Sequence, residues 1–581
     1  MDKFYSAERN VQILVALLKA HGIRYVIASP GTTNINFVAS VQNDPYFKVF
    51  SSVDERSAAY IACGIASESG QPVVLSCTGA TASRNYISGL TEAHYRKLPV
   101  LAVTSTQNPV RVGHLVPQVI DRSLQQADTV HETILLNMVR NSEEEWDCEI
   151  KANRALLALR HHGGGPVHIN LETGYNQDFS LRELPPARVI RRIMPHDEFP
   201  ALPTEGKIGI FVGAHQPFGK ELTQAVDAFC ASHNAVVFGD LTSGYHGEYE
   251  YHPALLASQF DWGKEPIRPN LMIHIGEVSG DYSMDNLVPD NVWRVNPDGE
   301  LRDRFKKLTY VFEMEEVTFF NHYAQSEAKP RRTYLDTCLN YHKQALAALP
   351  EFPFSNVWIA RNSVNRLPEG SVLHVGILNS LRCWSYFDLP KSVTTACNVG
   401  GFGIDGDVST LIGASLVNSD RLCFAVVGDL AFFYDLNVLG NRHVGNNVRI
   451  MLINNGRGTE FHNSDHPASR FGEDGDKFMA AAGHFGNKSP ELVKHYAQDL
   501  GFEYMSATSK EEYLAVCDSF FSPEPKQRPV VLEVFTDSDD ESDAIRLVRT
   551  TLADSTGSLK QLARNVLGDK LTSKIGQIIR K

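Results

Sequence analysis

The chain has 581 residues, 43% hydrophobic and 21% charged, with a net charge of −13. That length exceeds what one hydrophobic core organises and predicts roughly three or four domains of a soluble globular protein. With no block of Lys and Arg before the tail, the acidic balance argues against nucleic acid and anionic membrane surfaces as partners.

The N-terminal stretch MDKFYSAERNVQILVALLKAHGIRYVIASPG is amphipathic with polar interruptions. It reads neither as a signal peptide nor as an apolar span long enough for a bilayer. Short β-branched runs then alternate with helix-length segments almost throughout, the pattern of parallel α/β layers. In residues 1–185 the runs RYVIASPG, FKVFSSVDE, PVVLSCTG, PVLAVTST and GPVHINLE read as strands. The Pro-rich, charged piece 181–206 reads as a linker. A central α/β domain over 200–325 has KIGIFVG, AVVFGD and LMIHIGE, and 326–336 is a second polar joint. A third domain, 337–548, contains SVLHVGI, CFAVVGD, VRIMLINN and PVVLEVF, followed by a helical C-terminal tail over 549–581. The fold class expected is α/β with three doubly wound parallel-sheet domains, the first and third being two versions of one design. The nine cysteines form no CxxC pair, and Cys63, Cys77 and Cys423 lie in apolar runs. Buried free thiols in a reducing, cytoplasmic setting explain them better than disulfides or zinc.

Residues 426–458, VVGDLAFFYDLNVLGNRHVGNNVRIMLINNGRG, carry the strongest chemical signal. Two successive strand-like runs end in oxygen-bearing residues, Asp429 and Asn455. In open parallel sheets ligands bind beyond the carboxyl ends of strands. A carboxylate, an amide oxygen and a backbone carbonyl are hard ligands suited to Mg²⁺, which takes further oxygens from phosphates. The helix after Gly428-Asp429 would turn its N–H groups toward those phosphates. Either half alone would read as a helix cap or a turn; the two together read as a magnesium-diphosphate clamp.

GDL…YDLN…INN resembles the diphosphate-binding motif of thiamine-diphosphate-dependent enzymes, the acetolactate synthase and 2-oxo acid decarboxylase type. The resemblance implies that Gly428, Asp429, Leu430 and Asn455 contact the cofactor, and that Asp429, Asn455 and the carbonyl of Arg457 hold Mg²⁺. The Asp-to-Asn spacing is slightly shorter than the family's and keeps Asn454 open as an alternative. NVGGFGIDGDVSTLIGAS at 398–415 also matches, which would make Ile404 the apolar wedge under the cofactor. In the first domain, FSSVDERSAAYIACGIASESG fits the family's strand followed by a helix of small residues, with Glu55 as the carboxylate beside the aminopyrimidine N1′. Ala58, Ala59, Ala62 and Cys63 would let helices approach closely. SPG at 29–31 and CTGATASRN at 77–85 fall at the family's cofactor loops, giving Pro30, Gly31, Thr78 and Gly79. In this family the cofactor lies between two chains, so a homodimer or homotetramer is implied.

Motifs shared with the menaquinone-pathway carboligases include GDL…YDLN, GIDG followed by ST, DER, and Asn379-Ser380-Leu381. Three arginines that bind substrate carboxylates there are Thr33, Val399 and a residue near Gln107 here, which argues for an altered acceptor. Gln118 sits where related enzymes carry an active-site glutamine, with His114 nearby and His462 and His466 after the clamp. Arg382 is the candidate ligand for a substrate carboxylate, a salt bridge being an equal account of it. The central domain lacks GxGxxG, so flavin and nicotinamide gain no support. The function expected is thiamine-diphosphate-dependent decarboxylation of a 2-oxo acid with carboligation to a carbonyl acceptor. That acceptor would be of the acetolactate or surface-sugar kind. The alternatives are simple decarboxylation or a catalytically silent cofactor-binding protein.

Overall fold

The computed structural model describes residues 4–260, 262–325, 330–484 and 488–553. Parallel β-sheets alternating with helices build the chain, an α/β fold with three sheets. It divides into two compact units, Met1–Phe199 with Asp298–Glu313, and Pro200–Pro297 with Met314–Lys581.

In the first unit six parallel strands lie in the order Lys48–Ser51, Tyr25–Ala28, Val73–Thr78, Val100–Thr106, Val167–Glu172, Glu132–Leu136. Successive residues of a strand point to opposite faces, so a strand covered on both sides is apolar in almost every position. Val74, Leu101 and Val103 accordingly join one core with helices Arg9–Ala20, Ile35–Gln42 and Ser142–Ala158. Val73, Leu75 and Ala102 join the opposite core with helices Glu55–Ser69 and Ile87–Tyr95. Those last two helices meet at small residues. A Cβ added to Gly89 would stand 2.4 Å from the Cβ of Ala59, and Cys63 Sγ donates to the Gly89 carbonyl at 3.3 Å. Leu308–Phe312 pairs in parallel with Arg191–Ile193 in the same unit.

In the second unit the central strands run Glu250–Tyr251, Val236–Gly239, Ile208–Val212, Leu271–Ile275, Asn291–Val295. Numbered along the chain that is 3-2-1-4-5, the order of doubly wound nucleotide-binding sheets. The other sheet of this unit runs Thr394–Ala396, Val372–Val375, Cys423–Gly428, Val448–Asn454, Val530–Phe535, Glu503–Ala507. Its order, 2-1-3-4-6-5 along the chain, is the order of the first unit's sheet.

Helix Ser538–Arg549 is the last element described; the tail expected to be helical lies outside the described residues from 554 onward. All nine cysteines are unpaired and eight are buried. No helix among the described residues is long and apolar enough to cross a membrane.

Gly89→Ala is expected to lower stability by about 1–3 kcal/mol, because the added methyl has no room beside Ala59. Urea unfolding checks this, and an unchanged midpoint would disprove the tight contact.

Candidate active site

Strand Cys423–Gly428 ends beside strand Val448–Asn454, with Gly428 in register with Ile453. The next residue, Asp429, is 5% exposed. Its two oxygens accept from the N–H groups of Leu430 at 2.9 Å and Gly456 at 2.8 Å, so one carboxylate ties together the loops that leave both strands. Burial pushes its pKa up to about 7. Gly456 has φ +81°, the left-handed conformation that turns the chain after Asn455.

The two asparagines separate cleanly. Asn454 is buried and donates to Glu533 Oε1 at 2.7 Å, while Tyr504 holds the other oxygen of that carboxyl at 2.8 Å. Asn455 is half-buried, and its Oδ1 is engaged only at 3.4 Å, by the N–H of Arg457. Asp429 and Asn455 Oδ1 are therefore hard oxygens at neighbouring strand ends that could hold Mg²⁺. A Cβ on Gly428 would meet nothing within 4 Å, which leaves open space beside the carboxylate. Asp435 of YDLN accepts from the N–H and hydroxyl of Ser409, both at 2.5 Å, fastening helix Asp407–Ser415. The sequence marked YDLN as a motif without giving this role. Burial and Asp435 push Asp407 up to about 7, and burial does the same to Glu541. Ile404, just before that helix, packs half-buried against the core of this sheet.

In the first unit, Glu55 opens helix Glu55–Ser69 and is half-buried. Asp54 performs the capping, accepting from the N–H groups of Arg56 and Ser57. Glu55 is thereby left over for another purpose, with Asn85 Nδ2 at 3.3 Å from its Oε2. The loops of Pro30-Gly31 and Thr78-Gly79 leave adjacent strands, at the point where the strand order reverses. They touch so closely that a Cβ on Gly31 would stand 1.9 Å from Thr78 Cγ2.

Eleven non-glycine residues among those described adopt positive φ, and Ala80 (φ +54°), Leu115 (+57°), Gln118 (+66°), Leu378 (+70°) and Phe402 (+56°) are five of them. Such conformations cost roughly 1–3 kcal/mol each and concentrate at functional sites. His114 and Gln118 are exposed on the loop after Pro109–Arg111. Arg382 is already engaged: Glu460 takes both terminal nitrogens, at 2.7 and 3.0 Å, and Asn379 accepts at 2.7 Å. Asp476 joins His462, at 2.7 Å, to the Arg457 guanidinium, at 2.9 Å. His466 Nδ1 accepts from the Ala468 N–H. At the positions of the three arginines, Thr33 donates to the Ser105 carbonyl, Gln107 bridges Tyr175 and Arg111, and Val399 is buried.

Residues 9–128 match the family described as "Thiamine pyrophosphate enzyme, N-terminal TPP binding domain", the class to which a carboxylate at Glu55 and an oxygen clamp at Asp429 are suited. Proteins named 2-succinyl-5-enolpyruvyl-6-hydroxy-3-cyclohexene-1-carboxylate synthase are similar over nearly the whole chain. Those of Phocaeicola vulgatus and Bacteroides fragilis are each 30% identical, with 93% of this chain and 98% of theirs covered. That of Desulfotalea psychrophila is 26% identical, covering 91% and 99%. The chain belongs to the thiamine-diphosphate-dependent carboligase family, and it is an enzyme.

Asn455→Ala is expected to keep the melting temperature and lose Mg²⁺-dependent cofactor retention. Asn454→Ala is expected to lose about 1–3 kcal/mol of stability, because Glu533 is left a donor short in a buried site. Cofactor retention on gel filtration and thermal melts separate the two; the reverse pattern would exchange the roles.

A pH effect follows from the raised carboxyls. Asp429, Asp407 and Glu541 bind protons more tightly folded, near 7, than their ordinary values of 3.8 and 4.5. The folded state therefore holds more protons in that window, and stability falls as pH rises through it. The metal-free protein is expected to melt progressively lower from about pH 4 to about pH 7, with Mg²⁺ and thiamine diphosphate reversing part of the loss. A flat profile would contradict the burial of these groups.

Proposed function

We propose that the protein catalyses thiamine-diphosphate- and Mg²⁺-dependent decarboxylation of a 2-oxo acid and joins the remaining unit to a carbonyl acceptor. Two separate observations carry this reading: Glu55, spare of its capping duty, on one sheet, and the buried Asp429 carboxylate at the strand ends of a second sheet of the same strand order.

In this reading residues 1–185 bind the pyrimidine, 337–548 bind the diphosphate, and 200–325 form the central domain. Asp429, Asn455 and the Arg457 carbonyl hold the metal, and Gly428 and Leu430 lie along the diphosphate. Pro30, Gly31, Thr78 and Gly79 line the pyrimidine side, and Ile404 supports the cofactor from below. When bound, thiamine diphosphate supplies the electron sink that lets carbon dioxide leave a 2-oxo acid. Glu55 holds a proton at the aminopyrimidine N1′, with Asn85 orienting its carboxylate. Gln118, His114 and His462 are the polar groups offered to substrate; for Arg382, a substrate carboxylate would have to displace Glu460.

The relatives' name describes a product with a succinyl arm and a ring carboxylate. Thr33, Gln107 and Val399 offer no cation, which supports an acceptor different from theirs. Val53, Tyr60, Ile61 and Tyr95 are large exposed apolar side chains on or beside the helices that follow Glu55 and Thr78. They support burial against a second copy, in a homodimer or homotetramer, and the unpaired thiols support a cytoplasmic setting.

Carbon dioxide release with thiamine diphosphate and Mg²⁺, from pyruvate and from 2-oxoglutarate, tests the reading. Glu55→Gln is expected to bind cofactor normally and to lose at least about 100-fold in turnover. Undiminished turnover in that variant, or silence of the wild type with both acids, would reject it.

A further inference from the structure

Arg122 stands four residues beyond Gln118 and turns inward under the Thr78–Ala80 turn. Its Nη2 lies 3.4 Å from where a Cβ on Gly79 would be, which places the guanidinium directly against that turn. Although 4% exposed, the guanidinium makes no ion pair among the described residues, and Nη1 is enclosed without a hydrogen-bond partner. Neighbouring Arg84 adds positive charge, and no carboxylate figures among the charged groups acting on Arg122. On the face of this sheet that His168 shares with Asn170, the His168 Nδ1 also lacks a partner, and Asn170 donates to the Arg122 carbonyl at 3.0 Å. The Ser105 carbonyl is 3.4 Å from that same position on Gly79. His168 is held neutral by burial and by Arg122, its pKa pushed down to about 3, so it adds no second positive charge there.

A buried cation without a counter-ion is costly, and its planar fork matches a carboxylate. Resting on the reading above, we propose that Arg122 binds a substrate carboxylate that survives the reaction, either the distal carboxylate of a dicarboxylic donor or that of the acceptor. The departing carboxylate is the wrong partner. It leaves as neutral carbon dioxide, and a fixed cation would stabilise the charge that has to disappear. Arg122 thus supplies a carboxylate fork on a loop adjoining Gln118, where Thr33, Gln107 and Val399 supply none.

The test uses the full chain with thiamine diphosphate and Mg²⁺, in a Glu55→Gln background so that turnover is slowed by at least about 100-fold during the titration. Calorimetry measures binding of 2-oxoglutarate, pyruvate and cyclohex-1-ene-1-carboxylate to the Arg122 protein and to its Arg122→Gln and Arg122→Lys variants. Arg122→Gln is expected to weaken 2-oxoglutarate about 10- to 100-fold, with pyruvate and thiamine diphosphate binding unchanged, and Arg122→Lys to restore part of the affinity. The same loss confined to cyclohex-1-ene-1-carboxylate would place the recognised group on the acceptor. Unchanged binding of both, or an equal loss for pyruvate, would overturn the proposal. So would a lower melting temperature of ligand-free Arg122→Gln, since it would make the guanidinium structural. Absence of thiamine diphosphate binding before Arg122 is altered would remove the cofactor reading itself, and this inference with it.

Discussion

The carboxylate of Asp429 is the interaction on which the ends of strands Cys423–Gly428 and Val448–Asn454 depend. It is buried, so it is costly to ionise, and its two oxygens fix the start of the helix at Leu430 and the turn at Gly456. Two segments that leave neighbouring strands are thus tied through one acid whose charge is disfavoured where it stands. The group that fixes the local geometry is also the one that a nearby cation would relieve.

Rigidity beneath the loops has a plain origin. Strands covered on both faces carry apolar side chains in alternation, and their carboxyl ends are the places where polar residues collect. Around those ends the chain accepts conformations that cost energy, at Ala80, Gln118, Leu378 and Phe402. A well-packed sheet can hold a strained turn that an isolated loop would relax. In the first unit the same close packing extends to the helix that begins at Glu55, pressed against its neighbour with no space for a methyl at Gly89.

Much of this was legible in the sequence. The alternation of β-branched runs and helical segments announced three parallel sheets, and the likeness of the first and third domains became an identical strand order. Asp429 was visible because it ends an apolar run in a residue that packing alone would not choose, and Glu55 only through the family resemblance of the segment around it. Adjacent asparagines could not be told apart by spacing, because the distinction is one of side-chain direction across a sheet edge: Asn454 turns inward to Glu533. Arg382 read equally as a substrate ligand or as half of a salt bridge, and the fold supplies the partner, Glu460, which is remote in sequence. Arg122 gave no signal. In IDRSLQQAD it looks like a solvated charge, and only the fold reveals that it is enclosed without a counter-ion.

Two sheets of one strand order in a single chain do not load the same strand end. Glu55 follows the second strand of its sheet, whereas Asp429 follows the third strand of its own. The likeness of the two sheets is thus one of topology, and a residue placed on one sheet does not predict the residue at the matching place on the other.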